Sequence, residues 1–144
     1  MARTPAVLDA DARQDQLTVS YVSGEAYDVA IRGHRVRMDQ PADAGGGDEA
    51  PTPTEMFVAS LVACVAYYAG RYLTRHGYSR DGLSVSASFD MASDRPARVN
   101  SIRIAVTVPD EVPADRRPAL AAVASHCTVH NSLVTPPEIG LELL

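Results

Sequence analysis

Residues 52–77, TPTEMFVASLVACVAYYAGRYLTRHG, decide the fold because they predict one long helix with a defined start and end. Thr52 is followed three residues later by Glu55, the pattern of a capping box, and Pro53 suits the first helical position. Gly77 is a typical residue to end the helix. The predicted helix has about 24 residues and is about 36 Å long.

From Met56 to Ala69 this helix is apolar nearly all round, which favours a position at the centre of a core. Its charge-free part, Met56 to Gly70, is too short to span a bilayer, so a buried helix is the better interpretation. Cys64 lies in the middle of this apolar stretch.

Alternating apolar and polar residues predict strands before and after the long helix in the sequence. The expected strands are Leu17–Tyr21, Tyr27–Ile31, Val36–Met38, Leu83–Met91, Ile102–Val108 and Ile139–Leu143. A second helix is expected from Pro113 to Ser125, with its regular part beginning near Pro118, and a short helical segment from Thr128 to Leu133. The order β-β-β-α-β-β-α-β lacks a regular βα alternation, so the fold class is α+β with helices against antiparallel sheet.

The segment Asp39–Thr52 is predicted to be a flexible loop. It contains the run Gly45-Gly46-Gly47, which could suggest a phosphate cradle. The run is flanked by acidic residues and no lysine follows it, whereas a phosphate site needs amide donors away from carboxylates. A nucleotide site is therefore not expected here.

Composition restricts the possible functions further. The length of 144 residues predicts one domain, residues 16–144, preceded by a poorly ordered extension at residues 1–15 that does not resemble a secretory signal. The net charge of −5 argues against nucleic acid and anionic membranes as partners. All 13 basic residues are arginine, so Schiff-base chemistry is excluded. Two cysteines without an export signal favour the cytoplasm.

The two thiols are the candidate reactive groups. For Cys64 alone, inert packing in the core is the simpler interpretation, since cysteine is often buried. Cys127 follows a helix end and precedes a helical turn, a position where amide dipoles can lower a thiol pKa. His130, three residues later, can share a helical face with Cys127, so a thiolate-stabilising site is one alternative and packing the other.

Both cysteines lie in segments that resemble the OsmC-like proteins, which include the organic hydroperoxide resistance proteins. Residues 53–64, PTEMFVASLVAC, are similar to that family's helix pattern P-x-E-L-[LF]-x-A-x-L-x-x-C. Residues 126–133, HCTVHNSL, are similar to its second block, C-x-V-x-x-x-L. The segments 31–34 and 39–41 also resemble the family's upstream strand and loop, so the likeness covers about residues 17–144.

This resemblance implies an intertwined homodimer and a thiol-dependent peroxidase that reduces organic hydroperoxides. Cys64 would be oxidised to a sulfenic acid, and Cys127 would condense with it to a disulfide that a cellular dithiol reduces. No metal or organic cofactor is required. The implied role is that of an antioxidant in stress response.

Two features depart from the peroxidase branches of the family. Those branches place a glutamate ten residues before the helix cysteine, where this chain has Thr54. Glu55 would face away from Cys64 and is better explained as the capping-box carboxylate. The first hairpin also lacks the arginine that holds the cysteine as a thiolate in those branches. Possible substitutes are Arg32, Arg35, Arg37, Arg71 and Arg98, each of which is more simply explained as a solvated surface residue.

Two other functions remain open. The missing hairpin arginine motivates a non-enzymatic alternative, a dimeric stress protein that binds a hydrophobic small molecule. A metal site formed by His126, Cys127 and His130 is the third hypothesis, although a structural zinc site needs four ligands.

Overall fold

The computed structural model describes residues 16–144, so the predicted extension at residues 1–15 lies outside the described residues. By its internal contacts the chain divides into two units that meet between Met56 and Phe57. Each unit is described by itself. That residues 16–144 form one domain stays a prediction.

The first unit contains a three-stranded antiparallel sheet. Its strands are β1 (Leu17–Ser23), β2 (Ala26–Ile31) and β3 (His34–Met38), in the order β1-β2-β3. The turns contain Gly24 and Gly33, whose positive φ angles of 52° and 83° are readily adopted by glycine. The three strands predicted before the long helix are confirmed.

Burial in this sheet does not follow the apolar alternation of its sequence. Leu17, Val19 and Tyr21 of β1 are 60, 53 and 61% exposed. The residues that are buried in the described part of this unit are Ala26, Asp28 and Asp39. The sequence pattern therefore identified the strands but not the face that is buried in this chain.

Residues 39–51, called here the Asp39 loop, are organised by one carboxylate. Asp39 accepts hydrogen bonds from the backbone N–H groups of Gln40 at 2.7 Å and Glu49 at 3.0 Å. Gly46 lies so close to the Gln40 carbonyl that a Cβ there would be 1.9 Å from its oxygen. Because an internal carboxylate uses these amides, the loop does not offer them to a phosphate, as the sequence predicted. That the loop is flexible stays a prediction.

The long helix, α1 (Pro53–Arg75), begins and ends as its sequence predicted. Thr52 Oγ1 accepts the N–H of Glu55 at 3.1 Å, and the Glu55 carboxylate accepts the N–H of Thr52 at 2.9 Å. At the other end Gly77 has a φ of 78°, and the N–H of Tyr78 donates to the Leu73 carbonyl. The capping-box interpretation of Glu55 is confirmed.

By length and composition alone, α1 could cross a membrane. Its most apolar 18-residue window has a mean hydropathy of 1.4, and 39% of that window is buried in this chain. The central helix of a soluble protein has the same properties, so this feature by itself does not distinguish the two.

The second unit pairs one two-stranded sheet with helices. Strands β4 (Ser84–Met91) and β5 (Val99–Thr107) are antiparallel, and they are followed by helices α2 (Arg117–Ser125) and α3 (Thr128–Val134). A 3-10 turn, Ala114–Arg116, precedes α2, consistent with the prediction that regular helix begins near Pro118. The buried core of this unit consists of Leu61, Val65, Ala69, Tyr72, Leu73, Val112, Leu120, Ala124 and Cys127.

The predicted last strand, Ile139–Leu143, is wrong for this structure. Residues 135–144 contain no helix or strand, and Ile139, Leu141 and Leu143 are 90, 87 and 92% exposed. A strand needs a neighbouring edge for its backbone hydrogen bonds, and β4 and β5 pair with each other without including this segment. The α+β class is confirmed, but the observed order ends in helices.

Candidate active site

The structure brings Cys64 and Cys127 into the same core. Cys64 lies in the middle of α1 and is partly exposed, whereas Cys127 immediately precedes α3 and is completely buried. Both are free thiols. Cys64 packs against the buried cluster that contains Cys127, and the two side chains are close enough for the Cys64 thiol to influence the pKa of Cys127.

The surroundings of the Cys127 thiol favour its protonated form. Burial raises the pKa of Cys127, and the neighbouring Cys64 thiol raises it further. The N–H of His130, whose nitrogen is 3.4 Å from the Cys127 sulfur, acts in the opposite direction, as does the amide of Val129. Burial outweighs these amides, so of the two alternatives for Cys127 the structure favours packing over a thiolate-stabilising site.

His130 therefore contacts Cys127 differently from the way its spacing indicated. The group that reaches the sulfur is the His130 backbone N–H, which is free because Cys127 is the N-cap residue of α3. His130 is also among the residues that line two cavities of this unit.

A hydrogen bond beside the thiols joins the two elements that carry them. The hydroxyl groups of Tyr68 and Thr128 are 2.8 Å apart. Tyr68 follows Cys64 by one helical turn, and Thr128 directly follows Cys127. The sequence interpretation missed this pair, although hydroxyl residues next to both cysteines were a signal that could have identified it.

An apolar groove with a volume of about 490 Å³ runs along the face of α1. Its lining residues are Phe57, Leu61, Val99, Asn100, Ser101, Ile102, Ile104, His130 and Leu133. A smaller cavity of about 240 Å³ shares Leu61, Ile104 and His130 with it. The larger volume is within the range of roughly 300–1,000 Å³ that is typical of small-molecule sites.

The arginines of the second unit that could have replaced the missing hairpin arginine have other partners. Arg71 donates to the Tyr67 hydroxyl at 3.1 Å, and Arg98 pairs with Asp94 at 3.0 Å. Among the hydrogen bonds within residues 57–144, none joins an arginine to Cys64. These arginines therefore do not supply a thiolate partner within this unit.

Two arginines of the first unit, Arg35 and Arg37, have partners within that unit. Arg37 forms a two-point contact with Asp28, with Nε 2.8 Å from Oδ1, and Arg35 approaches the same carboxylate at 3.7 Å. This contact lowers the pKa of Asp28. Arg32 lies in the β2–β3 turn, where it has a positive φ of 46°.

The hypothesis of a metal centre receives no support from the geometry. Within residues 16–144, no three His, Cys, Asp or Glu side chains converge as metal ligands. His126 instead uses its Nδ1 to contact the Ala122 carbonyl at 2.7 Å. The structure does not assemble His126, Cys127 and His130 into a site.

Comparison with protein families places this architecture in a known class. The profile of the OsmC-like protein family matches residues 45–142, which include both cysteines and the groove residues. The chain belongs to the OsmC-like family. No curated protein matches it at a significant level.

Solved structures share the fold at low sequence identity. One similar structure is a proposed osmotic-stress-induced and detoxification response protein from Psychrobacter arcticus, with a TM-score of 0.74, 24% identity and coverage of 81% of this chain and 85% of that chain. Another is an OsmC-like protein of unknown function from Vibrio cholerae, with a TM-score of 0.64, 11% identity and coverage of 81% of this chain and 91% of that chain. A third is an organic hydroperoxide resistance protein from Legionella pneumophila, with a TM-score of 0.58, 16% identity and coverage of 82% of this chain and 87% of that chain.

Proposed function

We propose that this chain is a thiol-dependent peroxidase that reduces organic hydroperoxides. The Cys64 thiolate attacks the terminal oxygen of the hydroperoxide, the O–O bond breaks, and the alkoxide leaving group takes up a proton and departs as the alcohol. The resulting Cys64 sulfenic acid condenses with the Cys127 thiol to form a disulfide and one water. A dithiol reductant then returns both cysteines to thiols by exchange.

The observation that carries this proposal is the proximity of two free thiols from distant parts of the sequence. The membership in the OsmC-like family supports the same chemistry, and a hydroperoxide resistance protein is among the structures that share the fold. Since that likeness is at 16% identity, it supports the fold, and the thiol pair supports the reaction.

The environments of the two cysteines support different roles. Cys64 is partly exposed, so a hydroperoxide can reach it, whereas Cys127 is completely buried. The raised pKa of Cys127 keeps it as a thiol at neutral pH, which suits a residue that reacts after the sulfenic acid has formed. Cys64 is the peroxidatic cysteine and Cys127 the resolving cysteine in this proposal.

Mass spectrometry of the thiols tests the reaction directly. After one equivalent of cumene hydroperoxide, the wild-type protein should lose both thiols and gain one Cys64–Cys127 disulfide. Cys127→Ser should stop at the Cys64 sulfenic acid, which dimedone traps, and Cys64→Ser should remain unoxidised at residue 127. Full peroxidase activity of Cys64→Ser would refute the proposed mechanism.

We also propose that the protein acts as a cytoplasmic homodimer. The exposed apolar side chains of β1 and the exposed C-terminal residues Ile139, Leu141 and Leu143 are surfaces that a second copy would cover. Light scattering after size-exclusion chromatography should give twice the chain mass, and Tyr21→Glu should shift the protein toward the monomer. A monomeric wild-type protein at micromolar concentration would contradict the homodimer.

One observation favours the non-enzymatic alternative: no arginine of residues 57–144 forms a hydrogen bond with Cys64. In that case the apolar groove would bind a hydrophobic small molecule without oxidation of the thiols. Two thiols that stay reduced in excess hydroperoxide, together with saturable ligand binding, would support this alternative over the peroxidase.

A further inference from the structure

The proposed disulfide joins two cysteines that differ in access. Cys127 is completely buried and belongs to the apolar core of the second unit, whereas Cys64 is partly exposed and packs against that core. A dithiol reductant has to attack one of the two sulfurs first, because thiol–disulfide exchange passes through a mixed disulfide. Which cysteine the reductant attacks depends on this difference in access.

Cys64 lies at the boundary between an exposed and a buried side of α1. Because each helical residue turns by about 100°, Ser60 and Tyr67 flank Cys64 within about 60° on one side. Leu61 and Tyr68 flank it within about 60° on the other side. Both residues of the first pair are exposed, whereas Leu61 is buried and Tyr68 is half-buried. A solvent thiol can therefore approach Cys64 along the exposed side of the helix.

Cys127 is enclosed by the core of the second unit. Its neighbours in the sequence, His126 and Thr128, are exposed, but Cys127 itself is 0% exposed. It belongs to the same buried cluster as Leu61 and Leu120. Every approach to its sulfur is therefore covered by other atoms of the chain, and access is one of the factors that set the rate of thiol–disulfide exchange.

The leaving group acts against attack at Cys64, but with a weaker effect than access. Burial raises the pKa of Cys127, which makes its sulfur a slower leaving group when Cys64 is attacked. The N–H of His130, 3.4 Å from that sulfur, partly offsets this because it donates a hydrogen bond to the departing thiolate. A slower leaving group lowers the rate of attack, whereas a covered sulfur is not reached at all, so access decides.

We propose that the dithiol reductant attacks the sulfur of Cys64, so that it becomes covalently attached there while Cys127 is released first. The reductant thiolate forms an S–S bond with Cys64, the Cys64–Cys127 bond breaks, and Cys127 leaves as a thiolate that takes up a proton. The second thiolate of the reductant then attacks its partner sulfur in the mixed disulfide and releases the Cys64 thiolate. The cysteine pair gains two electrons and the dithiol loses two. This inference rests on the proposed function for the role of the disulfide.

The raised pKa of Cys127 favours completion of this sequence. After the first step, a Cys127 thiolate would attack the mixed disulfide and re-form the Cys64–Cys127 bond. Burial keeps Cys127 protonated at neutral pH, so this return reaction is slow. The earlier condensation with the sulfenic acid differs, because the departing hydroxyl accepts the proton of Cys127.

Mapping a mixed disulfide tests the point of attack. Native wild-type protein is oxidised to the Cys64–Cys127 disulfide with diamide, treated briefly with 2-mercaptoethanol, and then alkylated with N-ethylmaleimide. Because 2-mercaptoethanol carries one thiol, it lacks the second group that would release it from the protein. Trypsin cleaves this chain after arginine, so Cys64 falls in peptide 38–71 and Cys127 in peptide 117–144. Mass spectrometry should find the mercaptoethanol adduct on peptide 38–71 in about tenfold excess or more.

The unfolded protein provides the matched control. In concentrated urea both sulfurs of the disulfide are open, so the adduct should be divided about equally between the two peptides. The attacked sulfur of a disulfide carries no proton, so the difference between native and unfolded protein reports access to that sulfur. An adduct mainly on peptide 117–144 of the native protein would overturn the inference. So would a native disulfide that 2-mercaptoethanol does not reduce.

The choice of oxidant separates this inference from the proposed function, since diamide forms the disulfide without peroxidase chemistry. Attack at Cys64 in the diamide-oxidised protein, with thiols that cumene hydroperoxide leaves reduced, would refute the peroxidase and leave the point of attack intact. A disulfide that cumene hydroperoxide forms and 2-mercaptoethanol attacks at Cys127 would do the reverse. Diamide that leaves the two thiols unpaired would overturn both, since both need the sulfurs to meet.

Discussion

The two units of this chain bury different kinds of groups. In the first unit, the described residues up to Met56 bury two carboxylates and one alanine, Asp28, Asp39 and Ala26. In the second unit the core is apolar and includes Leu73, Leu120 and Cys127, each at most 2% exposed. Polar hydrogen bonds organise the first unit, and apolar burial organises the second.

This difference has consequences for function. Apolar surroundings and fixed helices hold the thiol pair of the second unit and raise the pKa of Cys127. The first unit leaves its apolar β1 side chains exposed, so it offers a surface to another molecule and contributes little apolar burial of its own. The predictions below test this contrast.

The largest effect is expected from a truncation in the apolar core. Leu73 is completely buried, so Leu73→Ala should lower the free energy of unfolding by about 2–5 kcal/mol. Val19→Ala on β1, where the side chain is 53% exposed, should change it by about 0.5 kcal/mol or less. Urea unfolding followed by circular dichroism measures both.

The same pair of variants sharpens the proposal of a homodimer. If a second copy covers β1, the loss for Val19→Ala should grow with protein concentration, while that for Leu73→Ala should not. Similar losses for both variants at every concentration would show that the contrast between the two units is wrong.

The next effect concerns the carboxylate that organises the Asp39 loop. Asp39→Asn removes the anionic acceptor for the N–H groups of Gln40 and Glu49, so the melting temperature should fall by a few degrees. Asp43→Asn, in the same loop at an exposed position, is the control and should have no effect. Faster hydrogen exchange of the Gln40 and Glu49 amides in the first variant alone would locate the change.

The pKa of Asp39 also gives this prediction a direction in pH. The backbone N–H groups of Glu49 and Gln40 lower the pKa of Asp39. Its contribution is therefore fully present above the pKa of an unfolded aspartate, about 3.9, and is lost as the pH falls below it. Wild-type stability should decrease toward acid more than that of Asp39→Asn, and equal pH profiles would contradict this.

The raised pKa of Cys127 predicts that the stability of the second unit has the opposite pH dependence. Because burial raises the pKa of Cys127, its contribution to stability is fully present below the pKa of an unfolded thiol, about 8.5, and is lost as the pH rises through the folded value. Thermal unfolding under reducing conditions between pH 7 and about 10 should show a steeper decline for the wild type than for Cys127→Ser. A parallel decline in the two proteins would count against the raised pKa.

The smallest effect is expected at the hydrogen bond beside the thiols. Tyr68→Phe removes the contact with the Thr128 hydroxyl and should cost about 0.5–1 kcal/mol of stability. In the reaction, Tyr68→Phe should slow only the step in which the Cys64–Cys127 disulfide forms from the sulfenic acid. Tyr67→Phe is the matched control, and stopped-flow oxidation that gives the same rate in both variants would exclude a positioning role.

Local patterns in the sequence predicted much of the fold. The capping box of Thr52 and Glu55, the end of α1 at Gly77, the three strands of the first sheet and the start of α2 were all predicted from neighbouring residues. The predicted strand at Ile139–Leu143 failed because alternation describes a segment that can form a strand, while pairing requires an edge elsewhere.

For the site, the sequence determined which residues carry the chemistry: two cysteines, one in an apolar helix and one at a helix start. Helix caps and periodicity depend on residues a few positions apart, so they can be predicted without a structure. Only the tertiary structure decided that the two thiols lie close together, that burial raises the pKa of Cys127, and that His130 lines an apolar groove. The physical reason is that burial and the contacts between distant residues depend on which atoms exclude water from one another in space.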